Sequence, residues 1–175
     1  MVNVRELKRK IVLIGDWGVG KTSLIRKFVL DTFDDKYLVT FGTKVTKKRI
    51  KFILDKDNII DMNLMIWDVM GQKEFKKVQT NAFRGTQGAL IVCDVTRAET
   101  LESIPKWKED IFDVTEKIPI IILANKVDLK DKGQVTTDDL VKVANDLDFP
   151  SFFTSAKTGE NVEKAFQELG IKLMY

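Results

Sequence analysis

The sequence has little cysteine and no long hydrophobic run, and these absences exclude several classes of protein. One cysteine, Cys93, among 175 residues cannot form an internal disulfide, and a reducing, cytoplasmic environment is the default expectation. No apolar run approaches the roughly 18 residues of a transmembrane helix. The N-terminal MVNVRELKRK lacks the apolar stretch and the cleavage site of a secretory signal peptide.

Positive charge is in small excess. The net charge of +3 does not by itself argue for binding to nucleic acid or to a membrane. A content of 44% hydrophobic and 31% charged residues is typical of a globular protein. The length fits one domain, residues 1–175, with a core of its own. We therefore expect a monomeric, single-domain protein that binds no nucleic-acid polymer.

Short apolar runs alternate with longer amphipathic segments. KIVLIG, GALIVCDV, IPIIILANK and SFFTSA predict strands, and TKVTKKRIKFIL with IIDMNLMIWDV predicts a β-hairpin. Helices are predicted for KTSLIRKFVLDTF, TTDDLVKVANDL, NVEKAFQELGIKLM and residues 98–117, where Pro105 marks a kink or a first-turn position. The pattern predicts an α/β fold, a doubly wound, mostly parallel six-stranded sheet with one antiparallel strand. Ligands of such sheets bind beyond the carboxyl ends of the strands.

The segment GDWGVGKT follows the first predicted strand and matches a phosphate-binding pattern. Gly15, Gly20, Lys21 and Thr22 fit G-x-x-x-x-G-K-[ST]. The glycines let backbone N–H groups point into one concavity, and the next helix directs its N-terminus there. We expect Lys21 to contact β- and γ-phosphate oxygens and the Thr22 hydroxyl to ligate Mg²⁺. A glycine turn that merely joins a strand to a helix is the alternative.

Two later segments predict recognition of guanine. In NKVD, the Asp128 carboxylate can accept the N1–H and 2-amino hydrogens that guanine presents side by side and adenine does not. Asn125 would hold the neighbouring loops and the base edge, and the aliphatic stem of Lys126 could lie over the ring. In SAK, Ser155 to Lys157, backbone N–H groups would bind the guanine carbonyl. Either segment alone also fits an ordinary polar turn.

The segment WDVMGQ ends the second strand of the predicted hairpin. Asp68 would bind Mg²⁺ through water, the Gly71 N–H would reach a γ-phosphate, and Gln72 would orient an attacking water. Asp and Gly are common in turns, so this interpretation depends on the other motifs.

Taken together, these motifs resemble those of the small Ras-like GTPases, and those of the Rab branch most closely. The similar segments are GDWGVGKTSLI, TFGT, IWDVMGQKEF, FRGTQGALIVCDVT, ANKVDL and TSAKTGENVEKAF. The resemblance implies the P-loop small G-protein fold, GTP and GDP as ligands, and Mg²⁺ as cofactor. It also implies hydrolysis of GTP to GDP and phosphate, with segments 32–43 and 69–80 relaxing when the γ-phosphate leaves.

The resemblance assigns roles to individual residues. Thr40 should contact Mg²⁺ and the γ-phosphate, and Phe33 should lie against the guanine, unless Phe33 anchors the end of the first helix in the core. The expected catalytic residues are Gln72 and Lys21, and the expected metal ligands are Thr22, Thr40 and Asp68. The expected nucleotide contacts are Asp16, Trp17, Gly18, Val19, Gly20, Lys21, Thr22, Ser23, Phe33, Thr40, Gly71, Asn125, Lys126, Asp128, Ser155, Ala156 and Lys157.

The family further implies an activating protein, an exchange factor and effectors. The sequence offers no obvious arginine finger, so fast hydrolysis would need an arginine from another protein. The C-terminal GIKLMY has no cysteine for prenylation. Either a tail is missing or the protein is not lipid-anchored, so the expected location is cytoplasmic, and membrane-peripheral if there is a tail.

Several residues depart from the family pattern. Trp17 replaces a small residue, and its indole would crowd the γ-phosphate side, which predicts slow hydrolysis. Met70 and Lys73 replace Ala and Glu beside Gln72. Basic residues follow TFGT, and they predict either a solvated edge strand or a surface for an acidic partner or anionic membrane; they are Lys44, Lys47, Lys48, Arg49 and Lys51.

Two other functions remain open. A module that binds GTP or GDP with little turnover is favoured by Trp17. A P-loop kinase shares only the first motif and would need a lid with several arginines, whereas only Arg84 and Arg97 lie beyond the first fifty residues.

Overall fold

The computed structural model of the chain describes residues 2–33, 42–71 and 76–175, in which strands alternate with helices. The strands are β1 Asn3–Ile14, β2 Thr43–Ile53, β3 Asn58–Val69, β4 Gly88–Asp94, β5 Ile120–Asn125 and β6 Ser151–Thr154. The helices are α1 Lys21–Leu30, α2 Lys76–Phe83, α3 Ala98–Glu102, α4 Ile104–Phe112, α5 Thr137–Leu147 and α6 Val162–Lys172, with a 3₁₀ helix at Val127–Lys132.

The strands form one six-stranded sheet in the order β2-β3-β1-β4-β5-β6. β2 runs antiparallel to β3, and every other neighbouring pair of the described strands is parallel. The predicted doubly wound α/β fold, with one antiparallel strand, is confirmed. Because β1, β3, β5 and β6 are parallel, their carboxyl ends meet at one edge of the sheet, where the predicted motifs follow.

The first strand is longer than the sequence pattern predicted. KIVLIG marks only its buried second half, whereas β1 pairs with β3 from Asn3 opposite Asn58 to Leu13 opposite Asp68. The charged residues of its first half point mostly to solvent, and Leu7 alone is buried there. Backbone pairing with β3 therefore holds this half of the strand, and such pairing leaves no apolar run in the sequence.

The segment predicted as one helix over residues 98–117 forms two helices. α3 ends at Glu102 and α4 begins at Ile104, with Pro105 in the first turn of α4. Proline is tolerated at that position because its missing N–H would have no partner within the helix. The first-turn interpretation of Pro105 is therefore confirmed, and the continuous helix was wrong.

Two boundaries of other helices were also tested. Thr136, the first residue of the predicted TTDDLVKVANDL helix, caps α5 and forms a capping box with Asp139. α1 ends at Leu30 rather than at Phe33, because Asp31 adopts a left-handed conformation with φ of 53°.

Apolar side chains cover both faces of the sheet. On one face α1 and α6 pack against β1 and β3, and the rings of Phe28 and Phe166 stack with their centroids 3.9 Å apart. On the other face α4 and α5 pack against β4 and β5. Every residue of β4 and β5 is buried, so the loops after these strands start from a rigid base. Across the described ranges, none of the helices combines the length and the apolar character that crossing a membrane needs.

β2 lies at the edge of the sheet. Lys44, Lys47, Arg49 and Lys51 are exposed along it. This arrangement agrees with the interpretation of the basic run as a solvated edge strand that resists edge-to-edge pairing.

Candidate functional site

The phosphate-binding pattern forms a tight loop between β1 and α1. Gly15 and Gly20 have φ values of 138° and 101°, which favour glycine. A Cβ atom at Gly15 would lie 2.2 Å from the Val92 carbonyl oxygen, and one at Gly20 would lie 2.3 Å from the Asn125 side-chain nitrogen. The loop therefore needs both glycines for its backbone conformation and for its close packing against β4 and β5.

Lys21 is the first residue of α1, and its side chain turns back into the loop. It is only 7% exposed, and its Nζ donates hydrogen bonds of 2.8 Å to the carbonyl oxygens of Gly15 and Asp16. Burial lowers the pKa of Lys21 to about 8, against the opposing effect of the Asp68 and Asp16 carboxylates. The Lys21 ammonium is thus held inside the loop, and its predicted contact with phosphate oxygens stays a prediction.

Thr22 and Asp68 come together from two elements. The Thr22 hydroxyl, in the first turn of α1, donates a hydrogen bond to Oδ2 of Asp68 near the end of β3. Mg²⁺ prefers oxygen ligands and takes one or two from protein when phosphate supplies others. This hydroxyl and carboxylate fit that ion. The described residues contain no group of three or more His, Cys, Asp or Glu side chains that would hold a metal without phosphate.

Gly71 lies against the phosphate loop. A Cβ atom at this position would lie 2.5 Å from backbone atoms of Gly15, Asp16 and Trp17. The preceding residue, Met70, is buried, and its carbonyl oxygen accepts a hydrogen bond of 2.8 Å from Gln79 of α2. The start of the segment after β3 is therefore positioned beside the loop.

Other predicted residues belong to the segments after α1 and β3. Thr40, Gln72 and Lys73 lie outside the described residues. Phe33 is 38% exposed after the end of α1, so it does not anchor that helix in the core.

Asn125 connects the base-recognition segments to the phosphate loop. Its buried side chain donates to the Val19 carbonyl oxygen at 2.9 Å and accepts from the Thr154 hydroxyl at 3.2 Å and the Ala156 N–H at 3.3 Å. Asn125 therefore holds the neighbouring loops, as predicted. In this arrangement the Ala156 N–H, expected to bind a guanine carbonyl, is within hydrogen-bond distance of Asn125.

Asp128 and Ser155 are also brought together. The Ser155 hydroxyl donates to Oδ1 of Asp128 at 2.6 Å, and the Ser155 N–H donates to the Glu160 carbonyl oxygen at 3.1 Å. The hydroxyl orients the carboxylate that is expected to read the base. Lys126 has a φ of 73°, and its Nζ lies 2.7 Å from Oδ2 of Asp94.

The side chains of Asp16 and Trp17 make contacts that sequence reasoning missed. The Asp16 carboxylate accepts from the Ser103 hydroxyl and the Trp107 indole N–H, both at 2.8 Å. Arg97 donates to the Trp17 carbonyl oxygen at 2.8 Å and places its guanidinium 5.4 Å from the centroid of the Trp17 ring. Trp107 lies on the buried face of α4 with Ile104 and Ile111. In the sequence it has the pattern of an ordinary core residue, so nothing local indicated its hydrogen bond to Asp16.

The sequence is similar to known proteins over most of its length. The sequence model of the Ras family matches residues 10–174. Ras-related protein Rab-32A of Dictyostelium discoideum is 39% identical over 89% of this chain and 73% of its own length. Ypt/Rab-type GTPase YPT7 of Saccharomyces cerevisiae is 33% identical over 91% and 78%, and Ras-related protein Rab-7b of Mus musculus is 32% identical over 97% and 84%.

Proposed function

Because this chain belongs to the Ras family and is a Rab-like small GTPase, we propose which of its own residues bind the nucleotide and carry the reaction. The family binds guanine nucleotide and hydrolyses GTP as a molecular switch. The observation that carries the assignment is the Asn125 side chain, which joins the phosphate loop to both base-recognition segments.

The phosphate site is formed by the loop between β1 and α1. Gly18, Val19, Gly20 and Lys21 offer backbone N–H groups to phosphate oxygens, as do Asp16, Trp17, Thr22 and Ser23 at its ends. Lys21 is already directed into the loop, and its ammonium offsets negative charge on the β- and γ-phosphates. Thr22 and Asp68, with Thr40, would hold Mg²⁺, and the ion would supply positive charge that neutralises phosphate charge.

The base site is formed by the segments after β5 and β6. The Asp128 carboxylate accepts the N1–H and 2-amino hydrogens of guanine, and Ser155 fixes its orientation. The stem of Lys126 lies along one side of the ring and Phe33 lies against it, while backbone N–H groups of Ala156 and Lys157 face its carbonyl. Adenine would leave Asp128 with poorly matched partners, so GTP and GDP are the ligands rather than ATP.

Hydrolysis depends on residues at the γ-phosphate side. Gln72 orients the attacking water, and the N–H of Gly71 binds the γ-phosphate while it is present. An activating protein supplies an arginine, and exchange factors and effectors read segments 32–43 and 69–80. The protein acts as a monomer of one domain, peripherally at membranes if a lipidated tail exists.

One observation favours a second function, a nucleotide-binding module with little turnover. The Trp17 side chain is 57% exposed on the phosphate loop. A large ring at this edge stands where an activating arginine would approach. The two functions differ in the rate of hydrolysis and share the same ligand.

Extraction of nucleotide from the purified protein tests the ligand. We expect GDP or GTP by chromatography, and much tighter binding of GDP than of ADP in a competition titration. Lys21→Ala should weaken binding by about a hundredfold, because it removes charge-assisted hydrogen bonds. Lys27→Ala is the matched control, since Lys27 lies on the same helix and pairs with Asp31. Equal binding of ADP and GDP, or of neither, would contradict the proposal.

A further inference from the structure

Two consecutive residues of the phosphate loop are held from outside the site. The group that holds them, the outer clamp, consists of Asp94, Arg97, Ser103 and Trp107. Ser103 and Trp107 bind the Asp16 carboxylate, and Arg97 binds the carbonyl oxygen and ring face of Trp17. The four residues lie within fourteen positions of sequence, from Asp94 at the end of β4 to Trp107 in α4, so one short segment contacts the loop twice.

Two cationic side chains bind different carbonyl oxygens of the loop. Lys21 binds those of Gly15 and Asp16, and Arg97 binds that of Trp17. The guanidinium of Arg97 is engaged by the Trp17 carbonyl oxygen, the Trp17 ring and the Asp94 carboxylate. Arg97 therefore acts on the loop as a positioning residue and not as an internal arginine finger.

Asp94 extends the clamp to the base-recognition segment. Its carboxylate is 1% exposed, and its Oδ2 lies 3.3 Å from Nε of Arg97 and 2.7 Å from Nζ of Lys126. The backbone N–H and hydroxyl of Thr96 donate to its Oδ1 at 2.9 and 2.7 Å. A continuous path thus runs from Trp17 through Arg97 and Asp94 to Lys126. This path is separate from the contact between Asn125 and Val19.

We propose that Arg97, acting through Asp94, holds the phosphate loop and the base-recognition segment in their binding arrangement and so slows release of the nucleotide. The inference rests on the proposed function, since it concerns the same site. A guanidinium is suited to this role because its planar fork reaches Asp94, the Trp17 carbonyl and the Trp17 ring at once. Removing the guanidinium would take one hydrogen-bond donor from the buried Asp94 carboxylate and one from the Trp17 carbonyl oxygen.

The test is the release rate of fluorescent GDP and of a non-hydrolysable GTP analogue, chased with unlabelled nucleotide at fixed Mg²⁺. Arg97→Ala should release both about tenfold faster, because a charge-assisted hydrogen bond is lost from the loop. The release rate of Arg97→Lys should fall between those of the original protein and Arg97→Ala, since lysine keeps a cation beside Asp94 but loses the planar fork of the guanidinium. Lys108→Ala is the matched control: Lys108 lies in α4, next to Trp107 in sequence, with its Nζ over the Phe112 ring, 5.9 Å from the centroid, and the release rate should not change.

A second measurement separates positioning from general loss of structure. Arg97→Ala and Lys126→Ala share Asp94, so their effects on release should be less than additive. A release rate within about twofold of the original for Arg97→Ala, or full additivity with Lys126→Ala, would overturn the proposal. If Arg97→Ala does not fold, an unchanged rate for Arg97→Lys overturns it instead. Failure of the unaltered protein to bind GDP would overturn the proposed function, which is a different outcome.

Discussion

The side-chain amide of Asn125 donates a hydrogen bond of 2.9 Å to the carbonyl oxygen of Val19, across 106 residues of sequence. Both residues are buried, and the same amide accepts from Thr154 and Ala156. One side chain at the end of β5 therefore ties together the phosphate loop and the loop after β6. Since buried polar groups are costly to leave unpaired, this amide has a strong effect on the stability of the site.

Asn125→Ala should lower the free energy of unfolding of the nucleotide-free protein by about 2–3 kcal/mol, because it leaves a buried carbonyl and a buried N–H with fewer partners. Urea denaturation measures this change. Asn145→Ala, at an exposed position of α5, is the control and should change stability by less than about 0.5 kcal/mol. Equal changes in the free energy of unfolding for the two substitutions would show that the hydrogen bonds of Asn125 do not stabilise the protein.

Asp128→Asn should change the base preference. An amide presents one acceptor and one donor, which match the N1–H and the 2-carbonyl of xanthine instead of the two donors of guanine. We expect binding of GDP to weaken and binding of xanthosine diphosphate to strengthen, each by about tenfold or more. Competition titration measures both. Asp131→Asn, exposed in the same 3₁₀ helix, should alter neither, and an unaltered GDP preference in Asp128→Asn would mean that Asp128 does not read the base.

Trp17→Ser should raise the rate of GTP hydrolysis, because it removes a large ring from the edge of the phosphate loop. The rate of GTP hydrolysis by Trp17→Phe should stay low, since phenylalanine keeps a ring at the same position. Single-turnover phosphate release, with the nucleotide preloaded, measures the step without interference from exchange. An unchanged rate in Trp17→Ser would refute the idea that Trp17 limits hydrolysis.

Asp94 should make stability depend on pH in the acid range. Burial raises the pKa of its carboxyl, but hydrogen bonds from Lys126 and Thr96 outweigh burial and lower the pKa below its ordinary value of 3.8. A lowered pKa in the folded state means that the carboxylate stabilises the protein above about pH 4, and that this contribution is lost as the pH falls through the folded-state pKa.

Comparison with Asp94→Asn isolates that contribution. Urea denaturation from pH 6 to pH 3 should show a difference in stability between the two proteins that shrinks on acidification. A difference that stays constant over this range would show that the charge of Asp94 is not what holds Arg97 and Lys126.

The sequence predicted those parts of the fold that depend on local pattern. Apolar runs such as residues 120–125 marked buried strands, and the amphipathic pattern of TTDDLVKVANDL marked α5. The hydrophobic pattern gave the wrong element bounds where strand pairing or a proline decided them. The polar first half of β1 is held by β3, and residues 98–117 form α3 and α4 instead of one helix, with Pro105 in the first turn of α4.

By itself, the sequence determined the conformation of the loop between β1 and α1, because Gly15, Gly20, Lys21 and Thr22 belong to one local pattern. Only the tertiary structure decided how that loop is held. The contacts of Arg97, Ser103 and Trp107 with the loop span 80, 87 and 91 residues. Contacts over such distances leave no periodic pattern, because the sheet order that places β4 beside β1 is what brings these residues together.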